Sequence, residues 1–113
     1  MGHRDEVILT KILSEISIAQ EMLGVLSLAE FEANELLKRA ICMTVINIGE
    51  LVKNLSDECR EKCPAVPWRA IAGFRDIAAH KYQTLKMADV YETVKTDFPN
   101  LYMKISQMLE DKR

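Results

Sequence analysis

Residues 37–55, LKRAICMTVINIGELVKNL, form the most regular stretch of the chain and decide its fold class. Side chains along it follow one another in steps of four, three, four, three and four residues, at Leu37, Ile41, Thr44, Ile48, Leu51 and Leu55. Steps of this kind place side chains on one face of an α-helix. The stretch therefore predicts a long helix that buries its mostly apolar face in a helical bundle.

A second row of side chains runs beside this seam, at Met43, Asn47, Glu50 and Asn54. A mostly polar row next to a buried face has two interpretations, and the sequence leaves both open. The row could be a solvated boundary, or it could be the wall of a cleft. In the second case, Asn47 and Glu50 would face a substrate or another helix that carries functional residues.

Similar periodicity predicts helices on both sides of this stretch. An apolar repeat from Val7 to about Leu23 ends at Gly24, a residue type common just beyond helix C-termini. Ser27 or Asn34 could cap the element that follows.

Prolines divide the second half of the chain. A short helix is predicted from Ser56 to Cys63-Pro64, and Pro67 suits the first turn of the next helix. That helix is expected to turn four side chains inward: Trp68, Ile71, Phe74 and Ile77. Beyond it, residues 81–86 indicate a loop.

The last part of the chain reads as a helix over residues 87–96, a break at Phe98-Pro99, and a final apolar stripe. The stripe consists of Phe98, Leu101, Ile105 and Met108. Together the elements predict an all-α fold, an up-and-down bundle of four to five main helices that forms a single domain over residues 1–113.

The charge balance limits the possible functions. The chain has a formal net charge of −2 and a pI of about 5.7, so no overall positive field attracts nucleic acid. This balance argues against a stable non-specific nucleic-acid binder, whereas it is compatible with an enzyme that holds one or two phosphates locally.

The cysteines indicate neither a disulfide framework nor a metal site. Cys42, Cys59 and Cys63 are an odd set, and no signal peptide or membrane-spanning apolar run is evident, which favours a reducing cytoplasm. Cys59 and Cys63 lie one helical turn apart, but no second Cys/His pair lies near them. We expect no metal and no cofactor.

Residues 75–82, RDIAAHKY, combine side chains suited to phosphate chemistry in the pattern R-x(4)-H-x-Y. The guanidinium of Arg75 is a permanent cation whose planar donors fit phosphate oxygens. The imidazole of His80 belongs to the side-chain type that exchanges protons near neutral pH. Tyr82 adds a hydroxyl that can bind or be modified.

The surroundings of this motif identify a family. The stretch PWRAIAGF at residues 67–74 leads into it, and Ile48-Gly49-Glu50 lies on the preceding long helix. With these residues, the chain resembles the HEPN superfamily and, more narrowly, the HepT-like ribonuclease toxins of prokaryotic toxin–antitoxin pairs. In that family a polar residue, commonly Asn, follows the arginine, whereas this chain has Asp76.

The resemblance implies more than a fold. It implies a homodimer that acts as the toxin of a type VII-like toxin–antitoxin module. The antitoxin partner would be a minimal nucleotidyltransferase related to MntA. By the same resemblance, the antitoxin would silence the toxin by transferring AMP from ATP to Tyr82.

Arg75 and His80 are the groups required to cleave RNA through its own 2′-hydroxyl without a metal. The reaction needs a base for the 2′-proton, an acid for the leaving 5′-oxygen, and a cation beside the phosphorane. We assign proton transfer to His80 and charge stabilisation to Arg75. Asp76 could accept a hydrogen bond from the imidazole, and Asn47 and Glu50 are supporting candidates. The expected products are a 2′,3′-cyclic phosphate and a 5′-hydroxyl.

Helix geometry complicates this assignment. At about 100° per residue, Arg75 and His80 point roughly 140° apart, whereas Asp76 and His80 share a face. Either the helix frays at His80, or a second copy of the motif supplies the missing group.

Two other interpretations remain open. Asp76 and His80 could be an ordinary surface pair one helical turn apart. The chain could also be a non-catalytic HEPN-like subunit, in which Arg75 and His80 bind a nucleotide or a phosphate of a protein partner.

Overall fold

The computed structural model describes residues 1–111 and contains no strand within them. The α-helices are α1 (His3–Leu23), α2 (Leu28–Glu32), α3 (Glu35–Lys53), α4 (Asp57–Glu61), α5 (Trp68–His80), α6 (Met87–Glu92) and α7 (Phe98–Glu110). A short 3-10 helix spans Tyr82–Thr84, and a π-helical turn spans Thr93–Asp97. The predicted all-α bundle is confirmed.

The long helix α3 is the centre of the fold, because it packs against both α1 and α5. On the predicted seam, Ile41, Thr44, Ile48 and Leu55 are buried, and the other two positions are partly buried. The hydroxyl of Thr44 donates to the Ala40 carbonyl at 2.9 Å, so this buried polar group has a partner. Helix α1 also packs against α7, and its buried residues contribute to the core between them.

Local capping explains where several helices begin and end. Gly24 follows α1 with φ of +53°, a conformation that favours glycine. Ser27 and Glu30 form a reciprocal capping box at α2, and the side chain of Asn34 accepts from the Leu37 amide at α3. Ser56 caps α4 in the same way. The predicted boundaries at these positions are confirmed.

The predicted break at Phe98-Pro99 is wrong. The π-helical turn at Thr93–Asp97 joins α6 directly to α7, and Pro99 lies in the first turn of α7. A proline inside an α-helix loses a hydrogen bond and collides with the carbonyl four residues earlier. The π-helical turn before Pro99 is wider than an α-helical turn. It therefore accommodates both the missing hydrogen bond and the proline ring, and the chain stays helical from α6 into α7. The apolar stripe of α7 is buried as predicted.

Helix α5, which carries the motif, packs mainly against α3. Trp68 is buried, and its indole nitrogen donates to the carbonyls of Arg60 and Cys63 at 3.0 and 3.1 Å. Ile71 and Phe74 are partly buried, but Ile77 is 50% exposed, so its predicted inward direction is wrong. The reason is that only one side of α5 is covered, and Ile77 lies on the other side.

Among the described residues, none of the helices combines the length and the apolar character needed to cross a membrane.

Candidate active site

The site begins with a close approach of two helices at Gly49. A Cβ atom placed on Gly49 would lie 2.1 Å from Cβ of Arg75 and 3.2 Å from the Ile71 carbonyl oxygen. No larger residue fits there without moving α5. Gly49 therefore lets α5 cross α3 at Arg75. This close crossing explains why glycine occupies the middle position of Ile48-Gly49-Glu50.

Arg75 lies at this crossing with its side chain only 24% exposed. One terminal nitrogen is 3.2 Å from Oε2 of Glu50, and the other is 3.1 Å from Oδ1 of Asp76. Its Nε atom is buried and donates to none of the described residues. Burying a donor without a partner is unfavourable, so stability alone does not account for an arginine at this position.

Asp76 is bound by two cations rather than by His80. Its Oδ1 atom accepts from Nζ of Lys53 at 2.6 Å and from Arg75 at 3.1 Å. The hydrogen bond from Lys53 and then that from Arg75 hold the pKa of the Asp76 carboxyl below its usual value. Asp76 is therefore anionic at neutral pH.

His80 is the last residue of α5 and is exposed. Within residues 1–111 its imidazole has neither a hydrogen bond nor an ion pair, so the hydrogen bond that we expected from it to Asp76 is not formed. The α-helix is regular as far as His80, which leaves Arg75 against α3 and His80 at the open end of α5. One chain therefore does not bring Arg75 and His80 into contact.

The polar row of α3 lines a groove against α1. The groove has a volume of about 360 Å³ and is bordered by Lys11, Ser14, Glu15, Asn47, Glu50, Leu51 and Asn54. Glu50 connects it to the motif through Arg75, as the cleft interpretation requires. Asn47 instead donates to Oε1 of Glu15 at 2.9 Å, so its amide is held by α1.

Tyr82 packs partly buried against the first turns of α3. The guanidinium carbon of Arg39 is 5.1 Å from the ring centroid, and Glu35 holds both Arg39 and Lys38, at 3.0 and 2.9 Å. Burial, followed by the charges of Glu35 and Cys42, raises the pKa of the Tyr82 hydroxyl. In the described part of the chain this hydroxyl has no hydrogen-bond partner.

Sequence reasoning missed Lys53 and Arg39. Both lie on α3, the helix that the sequence predicts best, but each acts on a residue of the motif segment. No spacing within one helix reveals such a pair, because the pairing depends on how α3 and α5 cross.

No group of three or more His, Cys, Asp or Glu side chains among the described residues could hold a metal ion. Whether the reaction needs a metal stays a prediction.

Comparison with known proteins places the chain among ribonucleases. Residues 12–108 match the family described as Ribonuclease HepT-like. A protein of Caldanaerobacter subterraneus subsp. tengcongensis, named a "putative RNase", is 34% identical over 105 residues, which cover 93% of this chain and 94% of that protein. A protein of Thermococcus cleftensis, named "probable ribonuclease HepT", is 27% identical over 95% of this chain and 96% of its own length.

A longer protein of Methanocaldococcus jannaschii, named as a gamma-glutamylcyclotransferase and "putative RNase", is 32% identical. The match covers 94% of this chain and 48% of that protein. No solved structure is a significant match.

Proposed function

The chain belongs to the HepT-like ribonuclease family of the HEPN superfamily, and we propose that it is a cytoplasmic, metal-independent endoribonuclease. The observation that carries this proposal is the placement of Arg75. Its guanidinium is held at the rim of a helix crossing that only glycine permits, with a buried donor left unpaired. Because this arrangement is unfavourable for stability, it indicates that the positive charge of Arg75 serves a function.

Arg75 can take a phosphate without releasing its carboxylates. A guanidinium has five N–H groups, and each terminal nitrogen carries two of them. Glu50 and Asp76 each engage one terminal nitrogen, so donors remain on both. These donors can stabilise the negative charge that develops on the phosphorane.

The chemical step follows from these groups. The 2′-oxygen attacks phosphorus and loses its proton to an imidazole, while the bond from phosphorus to the 5′-oxygen breaks. A second imidazole, in its protonated form, gives a proton to that oxygen. The products are a 2′,3′-cyclic phosphate and a 5′-hydroxyl. His80 of each of two copies provides one imidazole.

The need for two copies is the reason to propose a homodimer. The outer side of α5 is uncovered, and Ile77 on it is 50% exposed. A Cβ atom added to Gly73, also on α5, would meet nothing within 4 Å, so the fold of one chain does not require glycine there. Glycine inside a helix costs about 0.5–1 kcal/mol relative to alanine. We assign to Gly73 a close contact with a second copy of the chain, which would explain why glycine occupies this position.

We further propose that the enzyme is the toxin of a type VII-like toxin–antitoxin module. The partner is an MntA-like nucleotidyltransferase that adds AMP to Tyr82. The support from the structure is that the Tyr82 hydroxyl is unbonded among the described residues, that the Arg39 guanidinium lies over the Tyr82 ring, and that Arg39 and Lys38 both interact electrostatically with Tyr82. A phosphodiester on Tyr82 would add negative charge and bulk near the motif and thereby repel RNA.

The test is cleavage of RNA in excess EDTA, with product ends identified by mass spectrometry. We expect cyclic phosphate ends from the parent protein, and at least a hundredfold slower cleavage by both Arg75→Ala and His80→Ala. Losses of this size are typical when a group that stabilises transition-state charge, as assigned to Arg75, or a general acid–base group, as assigned to His80, is removed. Arg69→Ala is the matched control, because Arg69 is exposed on the same helix. Circular dichroism checks that all variants remain helical.

A non-catalytic subunit that binds nucleotides or a protein partner is the alternative. The acidic net charge of −2 and the two carboxylates on Arg75 favour it. If the parent cuts no RNA, this alternative replaces the enzyme. If Arg75→Ala and His80→Ala cut RNA as well as the parent does, the assignment of Arg75 and His80 as the catalytic residues is wrong.

A further inference from the structure

Four charged side chains meet where α3 crosses α5: Glu50 and Lys53 on α3, and Arg75 and Asp76 on α5. Three contacts join them, Glu50 to Arg75 at 3.2 Å, Arg75 to Asp76 at 3.1 Å, and Asp76 to Lys53 at 2.6 Å. The two positive and two negative charges sum to zero. The charge presented to a phosphate at this site thus depends on all four groups.

Asp76 is the member whose charge works against the reaction. It is anionic and contacts the Arg75 guanidinium, so its negative charge offsets the positive charge that an RNA phosphate meets there. With Glu50 already on Arg75, an uncompensated Asp76 would give the cluster a net negative charge. Such a cluster would repel the substrate.

Lys53 prevents this outcome through its direct contact with Asp76. Lys53 and Arg75 donate to the same oxygen, Oδ1, so Arg75 has to share this acceptor with a second cation. The side chains of Lys53 and Asp76 are 39% and 48% exposed, so the pair lies at the surface that a phosphate approaches.

We infer that Lys53 is a positioning residue of the ribonuclease site, which neutralises Asp76 and thereby keeps the positive charge of Arg75 effective towards an RNA phosphate. Lys53 acts through Asp76 and takes no part in proton transfer. The inference rests on the proposed function, since it assigns a role within the same site. It also implies that Lys53 becomes dispensable once Asp76 carries no charge.

The test is a double-mutant cycle on the full chain with the parent, Lys53→Gln, Asp76→Asn and the double variant. Lys53→Gln is expected to raise KM for RNA by about tenfold with little change in kcat, within the range of coupling between contacting charges. Adding Lys53→Gln to Asp76→Asn should change KM by less than about twofold, because no carboxylate is left for Lys53 to neutralise. Lys53→Arg should behave as the parent does.

A second measurement separates this inference from the proposed function. Binding of a 2′-O-methyl RNA oligonucleotide, which lacks the attacking hydroxyl, is followed by fluorescence anisotropy on the same proteins, with Lys62→Gln as an exposed lysine control. The dissociation constants should follow the pattern expected for KM. If the dissociation constants of the variants follow this pattern but the parent cuts no RNA, the ribonuclease proposal fails and the role of Lys53 in binding phosphate is retained.

Three results would overturn the inference. The first is that Lys53→Gln matches the parent in both measurements, and the second is that no protein binds the oligonucleotide. The third is that Lys53→Gln weakens Asp76→Asn as much as it weakens the parent, which would mean that Lys53 acts independently of Asp76.

Discussion

Arg75 shows how single residues determine the properties of the site. Its position depends on the missing side chain of Gly49, its orientation on Glu50 and Asp76, and its electrostatic surroundings on Lys53. All four of these residues lie close to Arg75 in space. Three of the four are on α3, more than twenty positions earlier in the chain.

Gly49→Ala is predicted to destabilise the protein strongly. The added methyl group would lie 2.1 Å from Cβ of Arg75, so α5 has to move away from α3. We expect the free energy of unfolding to fall by about 1–3 kcal/mol, typical of overpacked sites. Urea denaturation measures it, and an unchanged midpoint would contradict the close approach.

Tyr82→Phe is predicted to escape modification while remaining a ribonuclease. The side chain packs through its ring, so removal of the hydroxyl leaves its contact with Arg39 in place. After incubation with the antitoxin and ATP, intact mass spectrometry should show adenylate-sized steps on the parent and none on the variant. Steps on the variant would place the modification on another residue.

At the scale of elements, α5 is packed on one side only, and this asymmetry is the basis for the proposed dimer. Its inner side meets α3 through Ile71 and Arg75, while Gly73 and Ile77 lie on its uncovered side. The helix ends at His80, whose imidazole is thereby placed at the edge of the uncovered region.

Gly73→Ala is the matched partner of Gly49→Ala, because the same methyl group is added where nothing lies within 4 Å. Within one chain it should stabilise α5 by about 0.5–1 kcal/mol. If a second copy approaches at this position, the variant should also shift the monomer–dimer equilibrium towards monomer. Sedimentation over a concentration series measures the shift, and an unchanged equilibrium would exclude Gly73 from the interface.

At the scale of the whole molecule, a chain with a net charge of −2 has to attract RNA through a local arrangement of cations. Association should therefore be weaker than for a basic nuclease, and it should depend on salt through few phosphate contacts. A dimer would double the cations available along one RNA strand and would bring two imidazoles to one phosphate.

Mixing His80→Ala protein with an equal amount of the parent is predicted to lower the ribonuclease activity of the parent. A mixed dimer keeps only one His80, whereas the proposed step uses one imidazole from each copy. About half of the chains form mixed dimers at random exchange, so the activity per parent chain should fall by about half. A monomer by sedimentation at micromolar concentration would contradict this prediction.

The sequence determined the elements and the chemical types of this protein. Apolar periodicity predicted α1, α3 and the stripe of α7, and capping residues such as Gly24 and Ser56 predicted helix ends, because both signals depend on neighbours within one or two turns. The motif at residues 75–82 is local as well, and it identified the side chains suited to phosphate chemistry.

Tertiary structure alone decided which of these groups meet. Three features depend on how the helices pack. Lys53 rather than His80 contacts Asp76, Ile77 points outward, and a π turn accommodates Pro99. Residues 53 and 76 are 23 positions apart, and their contact is set by the crossing of α3 and α5 at Gly49. A local pattern specifies a helix and its faces, but the angle and register at which two helices cross are set by side chains from both.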